Sequence, residues 1–164
     1  MIEVIDNFMP DEHAKKMYDE MIGQDFPWFI TLNVAKKHVE SNDYYFTHLF
    51  YDKDVNGINS NYYEDFIKPI SDKLNTKELI RVKGNLYPGQ NVLSQHSKHF
   101  DYDYPNQGAI FYINDNDGYT IFDDKIKVDS VGNRLVRFDA SKLHASTDCT
   151  NAKVRVNINF NFLG

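Results

Sequence analysis

Residues 154–162, with the sequence VRVNINFNF, decide the fold because two kinds of side chain alternate along them without a break. The apolar positions are Val154, Val156, Ile158, Phe160 and Phe162, and the polar ones are Arg155, Asn157, Asn159 and Asn161. Period-two alternation predicts a β-strand with its apolar side against a packed layer. A polar face with one arginine suits the solvated lumen of a barrel and equally suits the solvent-facing side of an ordinary strand, so both interpretations stay open.

Most of the chain around this strand is predicted to consist of short strands. From residue 79 onward they span 79–87, 108–114, 119–122, 125–128, 134–138 and 153–162, joined by turns rich in Asn, Asp and Gly. Earlier candidates lie at 2–5, 28–34 and 44–51, and the polar stretch 35–43 is interpreted as a surface loop. Many short strands with such turns indicate a sandwich or a barrel.

Two early segments have the apolar spacing of amphipathic helices. The first spans residues 11–22, with Pro10 and Asp11 suited to its start and Gly23 to its end. The second spans residues 63–74, where Pro69 is expected to kink or shorten the helix. The fold class is therefore α+β, mainly β, with two N-terminal helices that pack on one outer face of the sheet.

Composition limits the classes of protein that this chain can represent. At 164 residues we expect a single domain, 1–164, and the net charge of −6 argues against sequence-independent nucleic-acid binding. The single cysteine, Cys149, excludes an intrachain disulfide and favours a reducing compartment. The opening residues MIEVIDNF lack a signal-peptide pattern, and no stretch approaches membrane-spanning length. We therefore expect a cytoplasmic protein with no nucleic-acid or membrane partner, and the oligomeric state stays unknown.

Two imidazoles and one carboxylate are available as metal ligands at His99, Asp101 and His144. A His-x-Asp tripeptide is weak by itself, since chance alone gives about 0.7 matches in a chain of this composition. An equivalent ligand pattern with glutamate, His38-Val39-Glu40, lies in the polar stretch and is weighed as the less suitable pair. Residues two apart on a strand face the same way, so His99 and Asp101 can chelate one ion. This ligand set holds one face of a ferrous ion and leaves the other open.

Arg155 is the candidate anion-binding residue beside these ligands. Residues 145–153 can close as a hairpin around 149–151, which would place His144 almost opposite Arg155 on neighbouring strands. A guanidinium can bind a carboxylate with two parallel hydrogen bonds. The three metal ligands and Arg155 together predict a site for a chelating dicarboxylate.

With these residues in view, the chain resembles the Fe(II)/2-oxoglutarate-dependent oxygenases of the prolyl-4-hydroxylase-like branch. It is similar in particular to short members encoded by marine phages, which would place the protein in the host cytoplasm. The matching stretches are Tyr87, HFD at 99–101, AIFYIN at 109–114, DGYTIF at 117–122, GNRLVRF at 132–138, His144, RVNINFNF at 155–162 and VIDNF at 4–8.

The resemblance implies a double-stranded β-helix, a jelly-roll or cupin-like barrel that the two helices buttress. It also implies that His99, Asp101 and His144 bind Fe(II). The corresponding activity is a dioxygenase reaction in which O2 and 2-oxoglutarate hydroxylate a substrate with release of succinate and CO2. Peptidyl proline is the best-known substrate of the branch, and a small molecule or another peptide side chain also fits. The presence of Asp101 favours hydroxylation over halogenation.

The resemblance further assigns four residues to the 2-oxoglutarate cosubstrate. Arg155 and Tyr112 are expected to hold its distal carboxylate, Tyr87 to line its pocket and Thr120 to contribute a hydroxyl. Substrate recognition is expected from the loops at 35–43 and 52–61, since recognition tends to lie on loops.

Structural interpretations stand beside these functional ones. Strand tyrosines such as Tyr87 and Tyr112 often fill a core, and His13, His48 and His96 are interpreted as structural histidines. Two other classes of function remain open. One is a cupin-like barrel that binds a metal such as zinc without oxidative chemistry, and the other is a catalytically silent interaction module.

Overall fold

The computed structural model describes residues 2–32, 44–123 and 125–164 of the chain, which form two antiparallel sheets and two helical segments. The strands are β1 (Glu3–Ile5), β2 (Phe29–Leu32), β3 (Tyr44–Asp52), β4 (Gly57–Ile58), β5 (Glu78–Pro88), β6 (Gln107–Tyr112), β7 (Tyr119–Phe122), β8 (Ile126–Asp129), β9 (Leu135–Asp139), β10 (His144–Ser146) and β11 (Val154–Leu163). Helix α1 spans Asp11–Met21, and a π-helical turn at Tyr63–Ile67 leads into α2, Lys68–Leu74. The α+β, mainly β class is confirmed.

A large sheet and a small sheet make up the barrel. The large sheet has the order β1-β9-β6-β11-β5-β3-β2, with β4 paired to β3, and the small sheet has the order β10-β7-β8. Side chains from both sheets share one apolar cluster, which includes Ile110 and Tyr112 from β6 and Phe122 from β7. The two sheets therefore face each other around a common interior.

Strand β11 lies in the middle of the large sheet, paired with β5 on one side and β6 on the other. Its apolar residues Val156, Ile158, Phe160 and Phe162 belong to the main core cluster. Its polar residues Arg155, Asn157 and Asn161 are also buried, on the opposite face between the sheets. The polar face therefore belongs to the barrel interior, and the alternative of a solvent-facing strand is wrong.

Both helical segments pack on the outer face of the large sheet, as predicted. Met17 and Met21 of α1 and Ile70 of α2 join the core cluster that contains the apolar side of β11. Pro69 lies in the first turn of α2, where a missing N–H breaks no intrahelical hydrogen bond. The predicted helix at 63–74 is therefore divided into a π-helical turn and a short α-helix. Among the described residues, neither helical segment combines the length and the apolarity needed to cross a bilayer.

Two strand predictions require correction. The hairpin expected over 145–153 does not form, because β10 pairs with β7 while β11 pairs with β5 and β6. The loop predicted at 52–61 contains the short strand β4, which pairs with β3. The predicted loop 35–43 and the pattern at His38-Val39-Glu40 lie outside the described residues.

Candidate metal centre

The structure brings His99, Asp101 and His144 together at one point of the barrel. One ligand atom from each residue lies within 4.8 Å of the other two. The Nε2 atom of His99 is 3.8 Å from Asp101 Oδ1, and that of His144 is 3.9 Å from Asp101 Oδ2. Two ligands of one ion at bond lengths of about 2.1 Å can lie up to about 4 Å apart. The donor set therefore fits a single divalent transition metal after a small contraction.

The backbone brings the two histidines together through an isolated β-bridge. His99 N–H donates to the carbonyl of His144 across 3.0 Å, and His144 N–H donates to that of His99 across 2.9 Å. This bridge places the two imidazole centroids 4.6 Å apart. The prediction that His99 and Asp101 face the same way on one strand is wrong, because residues 99–101 do not form a regular strand. Asp101 is held instead by its own N–H, which donates to the Ala140 carbonyl across 3.2 Å.

Each histidine of the cluster presents its Nε2 atom to Asp101. The Nδ1 atom of His99 lies 3.2 Å from the Ser97 carbonyl, and that of His144 lies 3.0 Å from the Lys142 carbonyl. Since a carbonyl oxygen can only accept, both Nδ1 atoms carry the proton and both Nε2 atoms have a free lone pair. Such backbone contacts orient the histidines of metal sites and fix their tautomer.

The surroundings of His99 and Asp101 favour the protonation states in which these two side chains can bind a metal. Burial, together with the neighbouring His144, lowers the pKa of His99, so its imidazole is neutral. Burial alone would raise the pKa of Asp101, but the neighbouring His144, a hydrogen bond from Asn161, and the neighbouring His99 and Arg81 outweigh it. The net effect lowers the pKa of Asp101, so the carboxylate is ionised.

Asp101 has three polar neighbours that the sequence analysis did not assign to the site. Asn161 Nδ2 donates to Asp101 Oδ2 across 2.8 Å, and Asn159 Nδ2 donates to the same oxygen across 3.3 Å. A guanidinium nitrogen of Arg81 lies 3.9 Å from Oδ1. The asparagines come from the polar face of β11, so the alternation in VRVNINFNF was the signal that could have placed them here.

Arg155 is completely buried between the sheets and bonds to neutral oxygens. Its guanidinium donates to Ser130 Oγ across 2.7 Å, to the Thr147 carbonyl across 3.1 Å and to Thr120 Oγ1 across 3.2 Å. None of the ion pairs formed within 2–32, 44–123 and 125–164 includes Arg155. A buried charge without a counter-ion is costly, which makes this guanidinium a natural anion-binding group.

The other candidate cosubstrate residues surround Arg155. The carbon of its guanidinium lies 5.5 Å from the ring centroid of Tyr87 and 5.7 Å from that of Tyr112. The Tyr112 hydroxyl donates to Thr120 Oγ1 across 2.9 Å. Burial raises the pKa of both tyrosines, so both phenols are neutral. Strand register places Arg155 opposite Tyr87 rather than opposite His144.

Two further histidines make contacts outside the metal cluster. His96 bonds through Nδ1 to Ser146 Oγ at 2.8 Å, and its ring lies 5.0 Å from that of Tyr87. His48 is buried and bonds to the Pro27 carbonyl at 2.9 Å and to Ser60 Oγ at 2.7 Å. The structural interpretation of His48 is confirmed by these contacts.

Comparison with known proteins shows similarity in structure and not in sequence. No sequence model of a protein family matches the chain, and neither does the sequence of a curated protein. A prolyl hydroxylase from Trichoplax adhaerens, solved with a peptide from the oxygen degradation domain of hypoxia inducible factor, is 12% identical with a TM-score of 0.65. That likeness covers 98% of this chain and 83% of the other.

Two other solved structures extend the comparison. A viral collagen prolyl hydroxylase from Paramecium Bursaria Chlorella virus-1 has 13% identity and a TM-score of 0.58, with 99% of this chain and 90% of that chain covered. A non-heme alpha-ketoglutarate-dependent epimerase of nogalamycin biosynthesis has 8% identity and a TM-score of 0.68, with 99% and 76% covered. The chain therefore has the double-stranded β-helix fold of prolyl hydroxylases and other 2-oxoglutarate/Fe(II) oxygenases, as the resemblance implied.

Proposed function

We propose that this protein is an Fe(II)- and 2-oxoglutarate-dependent dioxygenase that hydroxylates a small molecule or a peptide. One oxygen atom of O2 enters a substrate C–H bond as a hydroxyl, and the other enters succinate as 2-oxoglutarate loses CO2. The observation that carries the proposal is that a metal-binding set and an anion-binding group lie in one barrel interior. A complete set of two histidines and a carboxylate lies in the same interior as a buried arginine that has no counter-ion among the described residues.

In this proposal His99, Asp101 and His144 hold the iron. Two neutral imidazoles and one carboxylate suit Fe(II) and leave coordination positions for exogenous ligands. Bound iron supplies the activation of O2 that oxidative decarboxylation and C–H hydroxylation require. The carbonyls of Ser97 and Lys142 keep both histidines in the ligating tautomer, and Asn161 keeps the Asp101 carboxylate oriented and ionised.

Arg155 is proposed to bind the distal carboxylate of 2-oxoglutarate. The cosubstrate brings the counter-ion that the guanidinium lacks among the described residues, and a carboxylate is a stronger acceptor than the neutral oxygens that now contact it. Thr120 and Tyr112 lie within hydrogen-bonding distance of each other, and Thr120 also touches Arg155. These two hydroxyls are proposed to complete the carboxylate site, and the Tyr87 ring to cover it.

A buried arginine of this kind separates the proposal from a cupin-like zinc barrel. A structural or hydrolytic zinc ion needs the three ligands but gives no reason to bury a guanidinium that has no counter-ion in the described part of the chain. The similarity to prolyl hydroxylases, one of them solved with a peptide, supports peptidyl proline as one substrate to test. Hydroxylation is the proposed outcome because Asp101 completes the ligand set.

The activity is tested by a substrate screen that measures succinate. The protein is purified without added metal, its metal content is determined, and Fe(II), 2-oxoglutarate and O2 are supplied with panels of small acids, amino acids and proline-containing peptides. We expect succinate to form above the level of the Asp101→Ala variant with at least one panel. A wild-type protein that retains only zinc, or that never exceeds the variant, would contradict the proposal.

A further inference from the structure

The interior face of β5 carries two basic side chains beside the metal cluster. Arg81 and Lys83 alternate with Val82, a buried member of the main core cluster on the other face. In the sheet register Arg81 lies opposite Asn161, and Lys83 lies opposite Asn159. Directly opposed residues of an antiparallel pair share a face, so both basic residues lie on the same side as the asparagines that bind Asp101.

Lys83 is poorly paired for a half-buried ammonium group. Its Nζ donates to the Tyr45 hydroxyl across 3.3 Å and lies 5.5 Å from the centroid of that ring. An ammonium has three N–H donors, and Lys83 contributes to none of the ion pairs formed in the described part of the chain. Burial, assisted by the charge of Arg81, lowers the pKa of Lys83 to about 8.

Arg81 is also incompletely satisfied. Its Nε is buried and has no hydrogen-bond partner, while its guanidinium carbon lies 5.4 Å from the Tyr102 ring centroid. Among the ion pairs of the described residues, its acidic partner is Asp101, at 3.9 Å, while Asp52 lies opposite it on β3 without forming an ion pair. In the proposed function that carboxylate belongs to the metal, so much of the positive charge of Arg81 stays available.

We propose that Arg81 and Lys83 bind a carboxylate of the substrate, so that the enzyme selects organic acids or peptides with an acidic group over neutral analogues. This inference rests on the proposed function and names its substrate class. A carboxylate would supply acceptors for both cations, and Tyr45 and Tyr102 would flank its carbon skeleton.

The proposed substrate site is separate from the site assigned to 2-oxoglutarate. Arg155 and Asn159 are four residues apart on β11, and Lys83 lies opposite Asn159. At the rise of an extended strand, four residues span about 13 Å. One anion can therefore occupy Arg155 while a second lies against Arg81 and Lys83.

Binding of a charged probe and its neutral isostere tests this assignment. Benzoate and benzamide have nearly the same shape and differ in charge. The protein is loaded with Zn(II), which has no redox chemistry, and with saturating 2-oxoglutarate to fill the other anion site. Each probe is then titrated while protein NMR chemical shifts are followed. We expect benzoate to bind and to perturb the signals of β3 and β5, and benzamide to bind about tenfold more weakly.

Three variants identify the responsible group. Lys83→Met keeps an unbranched side chain that is one atom shorter, removes its charge and should weaken benzoate binding about tenfold. Lys77→Met makes the same change at an exposed position and should bind benzoate as the wild type does. Tyr45→Phe removes the hydroxyl that accepts from Lys83 and should retain the preference for benzoate over benzamide. If Lys83 served only to anchor Tyr45, Lys83→Met and Tyr45→Phe would lose benzoate affinity equally.

Several results would overturn the assignment. These are equal binding of benzoate and benzamide, unchanged benzoate binding in Lys83→Met, or equal losses in Lys83→Met and Tyr45→Phe. The proposed function fails separately, because it requires succinate formation with iron, which this titration does not measure. A protein that forms succinate but does not distinguish the two probes loses only the substrate-carboxylate assignment.

Discussion

Asn161 donates a hydrogen bond to Asp101 across 2.8 Å, although 60 positions separate the two residues in the chain. Asn161 is completely buried and belongs to the central strand of the large sheet, whereas Asp101 lies in an irregular segment. The contact therefore joins an irregular segment to the central strand of the large sheet. In the proposed enzyme this hydrogen bond would orient the Asp101 carboxylate that holds the metal.

Replacing Asn161 by Leu should weaken metal binding while the ligands stay in place. The variant keeps the branching of the side chain, at a larger volume, but removes the donor to Asp101, and the loss of such an outer contact costs about 10- to 100-fold in metal affinity. Competition with a metal-binding dye measures this effect. Asn91→Leu, at an exposed position, is the matched control. Equal metal affinities in the two variants would show that the contact is only structural.

Asp101→Ala should abolish turnover and leave a folded protein. The carboxylate contacts Asn159, Asn161 and Arg81 but contributes no apolar surface to either core cluster. Its removal leaves nearby polar groups unpaired, at a cost of about 1–3 kcal/mol. Circular dichroism and succinate release measure the two effects, with Asp103→Ala as the exposed control. Retained turnover, or global unfolding at room temperature, contradicts this expectation.

Arg155→Lys should chiefly weaken the binding of 2-oxoglutarate. Lysine keeps the charge but loses the planar fork that binds a carboxylate with two hydrogen bonds, so the apparent affinity should fall at least about tenfold. Because Arg155 also makes three buried hydrogen bonds, Arg155→Ala is expected to destabilise the fold as well. The conservative variant is therefore the informative one.

The matched control for this prediction is Arg137→Lys. Arg137 lies over the ring of Phe162, which packs in the core on the helical side of the sheet. Titration of 2-oxoglutarate into the iron-loaded proteins compares the two variants. If Arg155→Lys binds 2-oxoglutarate as tightly as Arg137→Lys does, Arg155 does not bind the carboxylate of the cosubstrate.

Lys83→Met should raise the free energy of unfolding by about 1–3 kcal/mol below pH 8, because it removes a half-buried and poorly paired charge. The pKa of Lys83 is about 8 when folded against 10.5 as its ordinary value. Well below pH 8 both states hold the proton, so the full cost of burial is present. Between about 8 and 10.5 the unfolded chain binds more protons than the folded one, so wild-type stability recovers as pH rises.

Urea unfolding at several pH values measures the difference between Lys83→Met and the wild type. The difference in the free energy of unfolding should be largest below pH 8 and should shrink toward pH 10.5. Titratable and charged groups common to both proteins, such as Arg81, Tyr45, Asp101 and His99, contribute about equally to both free energies, so they largely cancel in the difference. A variant that is less stable than the wild type at pH 7 would show that Lys83 serves packing rather than binding.

The sequence predicted the local features of this protein better than the pairing of its strands. The alternation at 154–162 located β11, and the helical spacing at 11–22 located α1, because both patterns depend on neighbouring residues. The strand that pairs with β10 was predicted wrongly, because a short segment such as 144–146 can pair with any of several strands. Its actual partner, β7, is fixed by packing across the whole barrel and not by the turn at 149–151.

In the candidate site, too, the sequence predicted the residue types better than the positions that depend on strand pairing. The residue types at His99, Asp101 and His144 and the family resemblance were enough to name the cluster that the structure assembles. Arg81, Lys83 and the asparagines of β11 were not assigned to it. Their positions beside Asp101 follow from the register between β5 and β11, which no local pattern specifies.

The most direct measurement is anaerobic addition of Fe(II) and 2-oxoglutarate to the purified protein while its visible absorption is recorded. Chelation of iron by the cosubstrate in this ligand set predicts a charge-transfer band that needs both additions. The band should be absent from Asp101→Ala and should require more 2-oxoglutarate in Arg155→Lys. A wild-type protein that binds Fe(II) but shows no such band at saturating 2-oxoglutarate would contradict the proposed function.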